Sequence, residues 1–196
     1  GVEQLLDSYG VDVFIGHGRI ERPGLVEVHQ EKGTQELPCG AIIIATGSVP
    51  SRAPIAGNDL PGVVSSRELL EIDSLPERLV VVGGSAVGVE FACIFRALGT
   101  KVTLLGRKSF VKETEPQIGR RLRAYMKRQG ISVTIGLDFK AIKSSDNGSL
   151  LVEYERNGKE LHADGNVVLL ATGRRPNTDT LELERLGIEM DNSAIK

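Results

Sequence analysis

The sequence Leu-Val-Val-Val-Gly-Gly-Ser-Ala-Val-Gly, residues 79–88, determines the fold. Its first four residues form a short apolar run, which is typical of a buried parallel strand. A turn close to the pattern G-x-G-x-x-G follows, and a helical pattern then covers residues 86–98 and ends at Gly99. Because unpaired amides at the start of such a helix face a pyrophosphate, this strand–turn–helix unit predicts dinucleotide binding.

The chain after this turn repeats the strand–helix order. Residues 102–105 predict a second strand, a basic amphipathic helix runs from Pro116 to a stop at Gly130, and residues 131–135 predict a third strand. This βαβαβ order indicates a Rossmann-like α/β fold with a parallel sheet.

Three alternating runs then replace the expected crossover helix. The dipeptides Asn147-Gly148 and Asn157-Gly158 separate them, and both are strong hairpin signals. We therefore expect an antiparallel β-meander here. The apolar run at residues 167–170 predicts the strand that returns the chain to the parallel sheet.

The region before the turn predicts smaller elements. We expect the end of a helix at residues 2–8, a strand at 11–15, an antiparallel meander within 16–38 and a buried parallel strand at 41–45. Residues 51–62 are rich in Pro and Gly, which indicates a linker between domains. A helix is predicted at 66–72, with Ser65 and Glu68 as its capping box.

The glycine turn supplies most of the candidate cofactor-binding residues. Ser85 stands where the middle glycine normally lets the backbone approach the pyrophosphate. Serine is small, and its hydroxyl can donate a hydrogen bond. A turn of this kind also occurs in α/β proteins that bind other ligands, so the complete βαβαβ pattern is what favours a dinucleotide. The candidates in the turn are Gly83, Gly84, Ser85, Ala86, Val87 and Gly88.

The end of the second strand indicates which nucleotide is preferred. An acidic residue there would bind the adenosine ribose 2′-hydroxyl, whereas basic residues would bind a 2′-phosphate. The sequence places Arg107 and Lys108 at this position, with Lys112 as a third cation nearby. This pattern favours NADP(H), although a pair of charges at a loop tip is also compatible with a solvated turn.

Composition excludes several other classes of protein. The net charge is −2, which does not favour a nucleic-acid partner, and no apolar run approaches the roughly 18 residues of a membrane-spanning helix. Cys39 and Cys93 are too few for a disulfide framework, and the three histidines lack metal-ligand spacing. We expect a cytoplasmic protein without a metal site, whose partners are small-molecule nucleotides.

Three segments together carry a family resemblance. Ala-Thr-Gly-Ser-x-Pro begins at residue 45, the stretch from Leu75 to Glu90 contains the glycine turn, and Ala-Thr-Gly-Arg-x-Pro-Asn begins at residue 171. Their order and spacing resemble the FAD-dependent pyridine nucleotide-disulfide oxidoreductases, which include dihydrolipoamide dehydrogenase, mercuric reductase and glutathione reductase. The resemblance covers nearly the whole chain.

The resemblance implies a role for each matching segment. It assigns residues 1–62 to a flavin-domain segment and linker, 63–173 to the NAD(P)-binding domain and 174–196 to the return toward the flavin domain. It places Glu90 near the nicotinamide. It also adds Gly173 to the nucleotide site and Thr46, Gly47 and Arg174 to the FAD side.

The sequence departs from the pattern of some family members at two positions. A gating tyrosine of some members corresponds to Ala86, and a second basic residue of some NADPH-binding members corresponds to Glu113. We expect no catalytic residue in this chain, because the flavin fingerprint, the redox cysteine pair and the dimer segment of the family are not in it. The whole parent protein is expected to be an FAD-dependent, homodimeric enzyme resembling dihydrolipoamide dehydrogenase.

Two alternatives remain open at this point. One is an FAD and NAD(P)H reductase without a redox disulfide, similar to ferredoxin reductases or NADH oxidases. The other is a non-catalytic nucleotide-binding regulatory module. The terminal electron acceptor is not determined by these patterns, because function resides in the site rather than in the fold.

Overall fold

A computed structural model describes residues 1–107, 110–111 and 115–196. The chain divides into two compact units. The first unit comprises Gly1–Val49 and Arg175–Lys196, and the second comprises Pro50–Arg174.

The N-terminal segment of the first unit contains one helix and a three-stranded antiparallel sheet of order β1-β2-β3. Its elements are α1 (Val2–Ser8), β1 (His17–Arg22), β2 (Leu25–Gln30) and β3 (Gly33–Pro38). The meander predicted within residues 16–38 is therefore confirmed. The short strand β4 (Ser48–Pro50) leads the chain out of this unit.

The second unit is built on a five-stranded sheet of order β5-β12-β6-β7-β8. All the pairings in it are parallel. The strands are β5 (Val63–Val64), β6 (Arg78–Val82), β7 (Lys101–Gly106), β8 (Ser132–Ile135) and β12 (Val167–Leu170), and the helices are α2 (Ser66–Leu69), α3 (Ala86–Ala97) and α4 (Pro116–Arg128).

The antiparallel meander of the second unit has the order β11-β10-β9. Its strands are β9 (Asp138–Ser144), β10 (Leu150–Arg156) and β11 (Lys159–Gly165). Asn157 and Gly158 both have positive φ, 53° and 74°, as a two-residue hairpin turn requires. The βαβαβ order and the meander in place of a crossover helix are both confirmed.

The parallel sheet is buried on both faces, and its alternating side chains enter two separate cores. Val81 and Leu104 pack with α3 and α4 on one face. Val80 and Leu105 pack with Val152 and its neighbours from the meander on the other face. This two-sided burial explains why the strands read as continuous apolar runs in the sequence.

The return segment completes the first unit. It contains β13 (Arg174–Pro176), a 3₁₀ helix at Leu183–Leu186, β14 (Met190–Asp191) and β15 (Ala194–Ile195). A small core forms there around Ile20, Leu181 and Leu183, with Ile42 and Ile44 packed against it. The chain thus leaves the first unit after residue 49 and re-enters it at residue 175.

Two predicted strands are not present in the described chain. Residues 11–15 and 41–45 belong to no strand. Ile43 is 91% exposed, while its neighbours Ile42 and Ile44 are half-buried. Both strand predictions were wrong, because a strand needs a ladder of backbone hydrogen bonds with a neighbouring strand and the described residues form no such ladder with these two segments.

The helix predicted at residues 66–72 is shorter than expected. It covers Ser66–Leu69 and ends in turns. Its capping box is confirmed, because the Ser65 amide donates to the Glu68 carboxylate at 2.6 Å and the Glu68 amide donates to Ser65 Oγ at 3.4 Å. A cap of this kind satisfies amide groups that the helix itself cannot.

None of the helices in the described part of the chain has the length and apolar content that crossing a lipid bilayer requires.

Two neighbouring leucines at the end of α2 test the core assignment. Leu69 is 1% exposed and Leu70 is 72% exposed. We expect Leu69→Ala to lower the free energy of unfolding by about 2–5 kcal/mol, because it leaves a cavity in the core. Leu70→Ala is the matched control and should change it by less than about 0.5 kcal/mol. Equal losses in denaturant titrations would contradict this packing.

Candidate functional site

A cleft of the second unit lies at the carboxyl ends of β6, β7 and β12. Its volume of 440 Å³ lies within the range of small-molecule sites. In an open parallel sheet, ligands bind beyond the carboxyl ends of the strands. The lining residues are Ser51, Arg52, Ala53, Pro54, Ile55, Gly83, Gly84, Ser85, Ala86, Arg107, Val111, Phe139, Ala171, Thr172 and Gly173.

The first glycine of the turn lies against the end of β12. Gly83 has a φ of 131°, and a Cβ atom there would be 2.1 Å from the carbonyl oxygen of Ala171. Its amide donates to the carbonyl of Leu105 at 2.8 Å. Only glycine combines this backbone conformation with so close an approach. The turn therefore lies between the ends of β7 and β12.

The third glycine of the pattern brings α3 close to the turn. A Cβ atom on Gly88 would be 2.1 Å from the carbonyl oxygen of Gly83. The first turn of α3 therefore lies directly against the end of β6. This arrangement points the start of the helix into the cleft.

Ser85, at the middle position of the pattern, caps α3. Its hydroxyl oxygen accepts from the Gly88 amide at 3.5 Å and donates to the carbonyl of Ala171 at 3.1 Å. The amides of Ala86 and Val87, at the first two helical positions, have no acceptor within the helix. The serine side chain thus faces the strand end and leaves these two amides available for an anion.

The predicted cation at the end of β7 also lines the cleft. Arg107 is exposed, and its carbonyl accepts from the Gly136 amide at 2.6 Å. The nearby Val111 amide donates to the Gly84 carbonyl at 2.7 Å, which joins the loop after β7 to the glycine turn. Lys108, Lys112 and Glu113 lie outside the described residues.

The structure brings some of the remaining candidates to the cleft and not others. Gly173 lines it, and its carbonyl accepts from the Ser51 amide at 2.9 Å. Glu90 is an exposed residue of α3 and does not line the cleft. Val87 and Gly88 lie in the first turn of α3 and are not among the lining residues.

The candidates for the FAD side are not among the residues that line the cleft. Thr46 and Gly47 belong to the first unit, where their carbonyls accept from the side chain and the amide of Asn177 at 3.3 and 3.0 Å. Arg174 is the last residue of the second unit and is exposed. A role for these three residues in binding flavin stays a prediction.

Sequence reasoning missed a second cation in the cleft, Arg52. Its guanidinium donates to the Glu68 carboxylate at 3.1 Å and to the Asn58 carbonyl at 2.9 Å. The pKa of the Glu68 carboxyl is lowered mainly by the hydrogen bond from the Ser65 amide. The Ser65 hydroxyl and Arg52 lower it further. One carboxylate thus caps α2 and positions Arg52, and no local motif in the sequence signals that pairing.

No group of three or more His, Cys, Asp or Glu side chains within residues 1–107, 110–111 and 115–196 is arranged to hold a metal ion. Cys39 and Cys93 are both free and half-buried. Burial raises the pKa of the Cys93 thiol, so this thiol is less reactive than an exposed one.

Gly88 tests the packing of the glycine turn. We expect Gly88→Ala to lower the free energy of unfolding by about 1–3 kcal/mol, because its methyl group would overlap the Gly83 carbonyl. Gly18→Ala is the control, since no atom lies within 4 Å of a Cβ there. Denaturant titration of both variants measures the effect. If Gly88→Ala is as stable as the control, the close approach is incorrect.

Glu68 gives a pH-dependent prediction. Its pKa is lowered on folding, so its charge stabilises the folded chain above the ordinary pKa of 4.5, and this contribution is lost as the pH falls through the folded-state pKa. We expect Glu68→Gln to cost about 0.3–1 kcal/mol at pH 7 and nothing in strong acid. The exposed Glu71→Gln serves as control. A cost that does not change between neutral pH and strong acid would show that the Glu68 charge is not the cause.

Comparison with known proteins identifies similar sequences and structures. The family model described as pyridine nucleotide-disulphide oxidoreductase matches residues 1–196. A dihydrolipoyl dehydrogenase of Acholeplasma laidlawii is 36% identical over 100% of the chain and 56% of its own length. A mercuric reductase of Lysinibacillus sphaericus is 33% identical over 94% of the chain and 33% of its own length.

A solved structure shows the same fold. The HOCl-induced flavoprotein disulfide reductase RclA from Escherichia coli superimposes with a TM-score of 0.86 at 28% identity. The match covers 100% of the chain and 44% of that protein. The chain thus spans between a third and just over half of the length of these relatives.

Proposed function

The chain belongs to the pyridine nucleotide-disulphide oxidoreductase family, and we propose that it is the pyridine-nucleotide-binding part of a flavoprotein reductase. The observation that carries this proposal is the glycine turn at the end of β6, which opens the first amides of α3 to a 440 Å³ cleft. A pyrophosphate bound there would accept hydrogen bonds from the amides of Ala86 and Val87.

The chemistry in this proposal comes from the cofactors, and the chain supplies binding and orientation. Bound NAD(P)H would supply a hydride to the FAD of the whole parent protein, and the electrons would pass on to a disulfide-type acceptor, as the resemblance to dihydrolipoamide dehydrogenase implies. The residues of this chain hold the nucleotide through backbone amides that no side chain obstructs. Ser85 supports that arrangement because its hydroxyl caps α3 away from those amides.

We further propose that the chain prefers NADP(H). Arg107 lines the cleft at the end of β7, where a 2′-phosphate would lie, and β7 ends without a carboxylate that would bind a 2′-hydroxyl. Lys108 follows it in the sequence and would add a second positive charge. A phosphomonoester gains charge-assisted hydrogen bonds from such groups, whereas a hydroxyl gains much less.

Other parts of the proposal rest on the family resemblance. They are the position of Glu90 near the nicotinamide, the flavin contacts of Thr46, Gly47 and Arg174, and a homodimeric parent in the cytoplasm. Glu90 is exposed on α3, which leaves its carboxylate free to face a ligand.

Calorimetric titration of the chain with NADPH and NADH at one salt concentration tests the proposal. We expect NADPH to bind roughly tenfold more tightly, because one charge-assisted hydrogen bond is worth about 1.5–3 kcal/mol. Arg107→Gln should remove most of that preference and leave NADH binding nearly unchanged. Arg156→Gln, which changes an exposed arginine of the meander, is the matched control.

The possible results distinguish the NADP(H) preference from the nucleotide site itself. Equal binding of NADPH and NADH would contradict the NADP(H) preference while preserving the nucleotide site. Binding of neither nucleotide by the folded chain would contradict the site itself and favour a module that does not bind nucleotides.

A further inference from the structure

A second cleft lies beside the first, between α4 and the end of β8. Its volume is 270 Å³. Six residues line it: Phe110, Pro116, Gly119, Arg120, Arg123 and Ile135. Two of them are arginines and two are large apolar residues, so the cleft combines positive charge with an apolar wall.

The walls of the two clefts are joined through neighbouring residues. Phe110 lines the second cleft and Val111, the next residue, lines the first. Consecutive Cα atoms are only about 3.8 Å apart, so one loop separates the two spaces. The Val111 amide is also bonded to the Gly84 carbonyl in the glycine turn.

A second connection runs through the end of β8. Ile135 lines the second cleft, and the amide of the next residue, Gly136, donates to the carbonyl of Arg107 at 2.6 Å. Arg107 lines the first cleft. A ligand that passes Arg107 at the end of β7 therefore lies directly beside the opening of the second cleft.

The two arginines face this cleft because of their spacing along α4. Residues three apart lie on the same face of a helix, so Arg120 and Arg123 are neighbours. No carboxylate of the described residues forms an ion pair with either of them. Arg121 and Arg128 lie on the same helix but do not line the cleft.

Gly119 lies close to the backbone of Phe110 at one side of this cleft. A Cβ atom on Gly119 would be only 3.2 Å from the carbonyl oxygen of Phe110. A side chain at this position would move the loop away from α4. Glycine at position 119 therefore allows α4 to lie against Phe110.

We infer that Arg120 and Arg123 reach from this second cleft to the phosphomonoester that Arg107 binds from the first, and that they are further specificity-determining residues. The inference rests on the proposed nucleotide-binding function. The guanidinium groups bind the phosphate dianion, and the apolar side chains of Phe110 and Ile135 border the adenosine that carries it. A ligand without the 2′-phosphate gains nothing from these two arginines.

The test compares two double variants that remove the same charge from the same helix. In Arg120→Gln/Arg123→Gln, we expect NADPH to bind roughly tenfold or more weakly and NADH to change less than about twofold. In Arg121→Gln/Arg128→Gln, both affinities should change less than about twofold. All four arginines are exposed, so both variants should fold, and circular dichroism checks this.

Every outcome is decisive. Equal weakening of NADPH binding in both double variants would show a general effect of the positive helix and overturn the inference. Unchanged NADPH binding in Arg120→Gln/Arg123→Gln would overturn it as well. If the unaltered chain binds neither nucleotide, the proposed function is overturned, and the inference that rests on it is overturned with it. A selective loss that Arg120→Lys/Arg123→Lys partly restores would support charge recognition in this cleft.

Discussion

The close contact between the glycine turn and the end of β12 is the constraint on which the site depends. Gly83 lies so near the Ala171 carbonyl that even a methyl group would not fit, and Gly88 lies equally near Gly83. These contacts bring the ends of two neighbouring strands and the start of α3 to one point. The cleft, its open amides and the position of Arg107 all follow from that junction.

Ser85 shows how one substitution in a motif is accommodated. The middle position of the pattern usually needs glycine so that the backbone can approach a pyrophosphate. Here the hydroxyl is bonded to the Ala171 carbonyl and the Gly88 amide, and it therefore points toward β12. The departure from the sequence pattern thus stabilises the turn and does not block it.

Positive charge is concentrated on α4, beside the site. The net charge of the chain is −2, yet α4 contains five basic residues and no acidic residue. Three other arginines of the second unit form ion pairs, Arg52 with Glu68, Arg67 with Glu71 and Arg78 with Asp164. Arg120 and Arg123, which line the second cleft, form no ion pair with a carboxylate of the described residues, which suits the anionic ligand proposed above.

The sequence by itself determined the local elements of the second unit. The apolar runs predicted β6, β7, β8 and β12, the glycines and Pro116 predicted the helix bounds, and the Asn-Gly pairs predicted the meander. These signals are readable because they depend on residues close together in the chain. The candidate residues Gly83, Ser85 and Arg107 were found in the same way.

Only the tertiary structure decided which distant residues share the cleft and which extended segments are strands. Arg52, Phe139 and Thr172 reach the cleft from three separate parts of the chain, and no local pattern marks them. Residues 11–15 and 41–45 carry strand-like patterns but pair with no strand among the described residues. The physical reason is the same in both cases: pairing and clefts depend on contacts across the fold, whereas sequence periodicity reports only the shape of each segment.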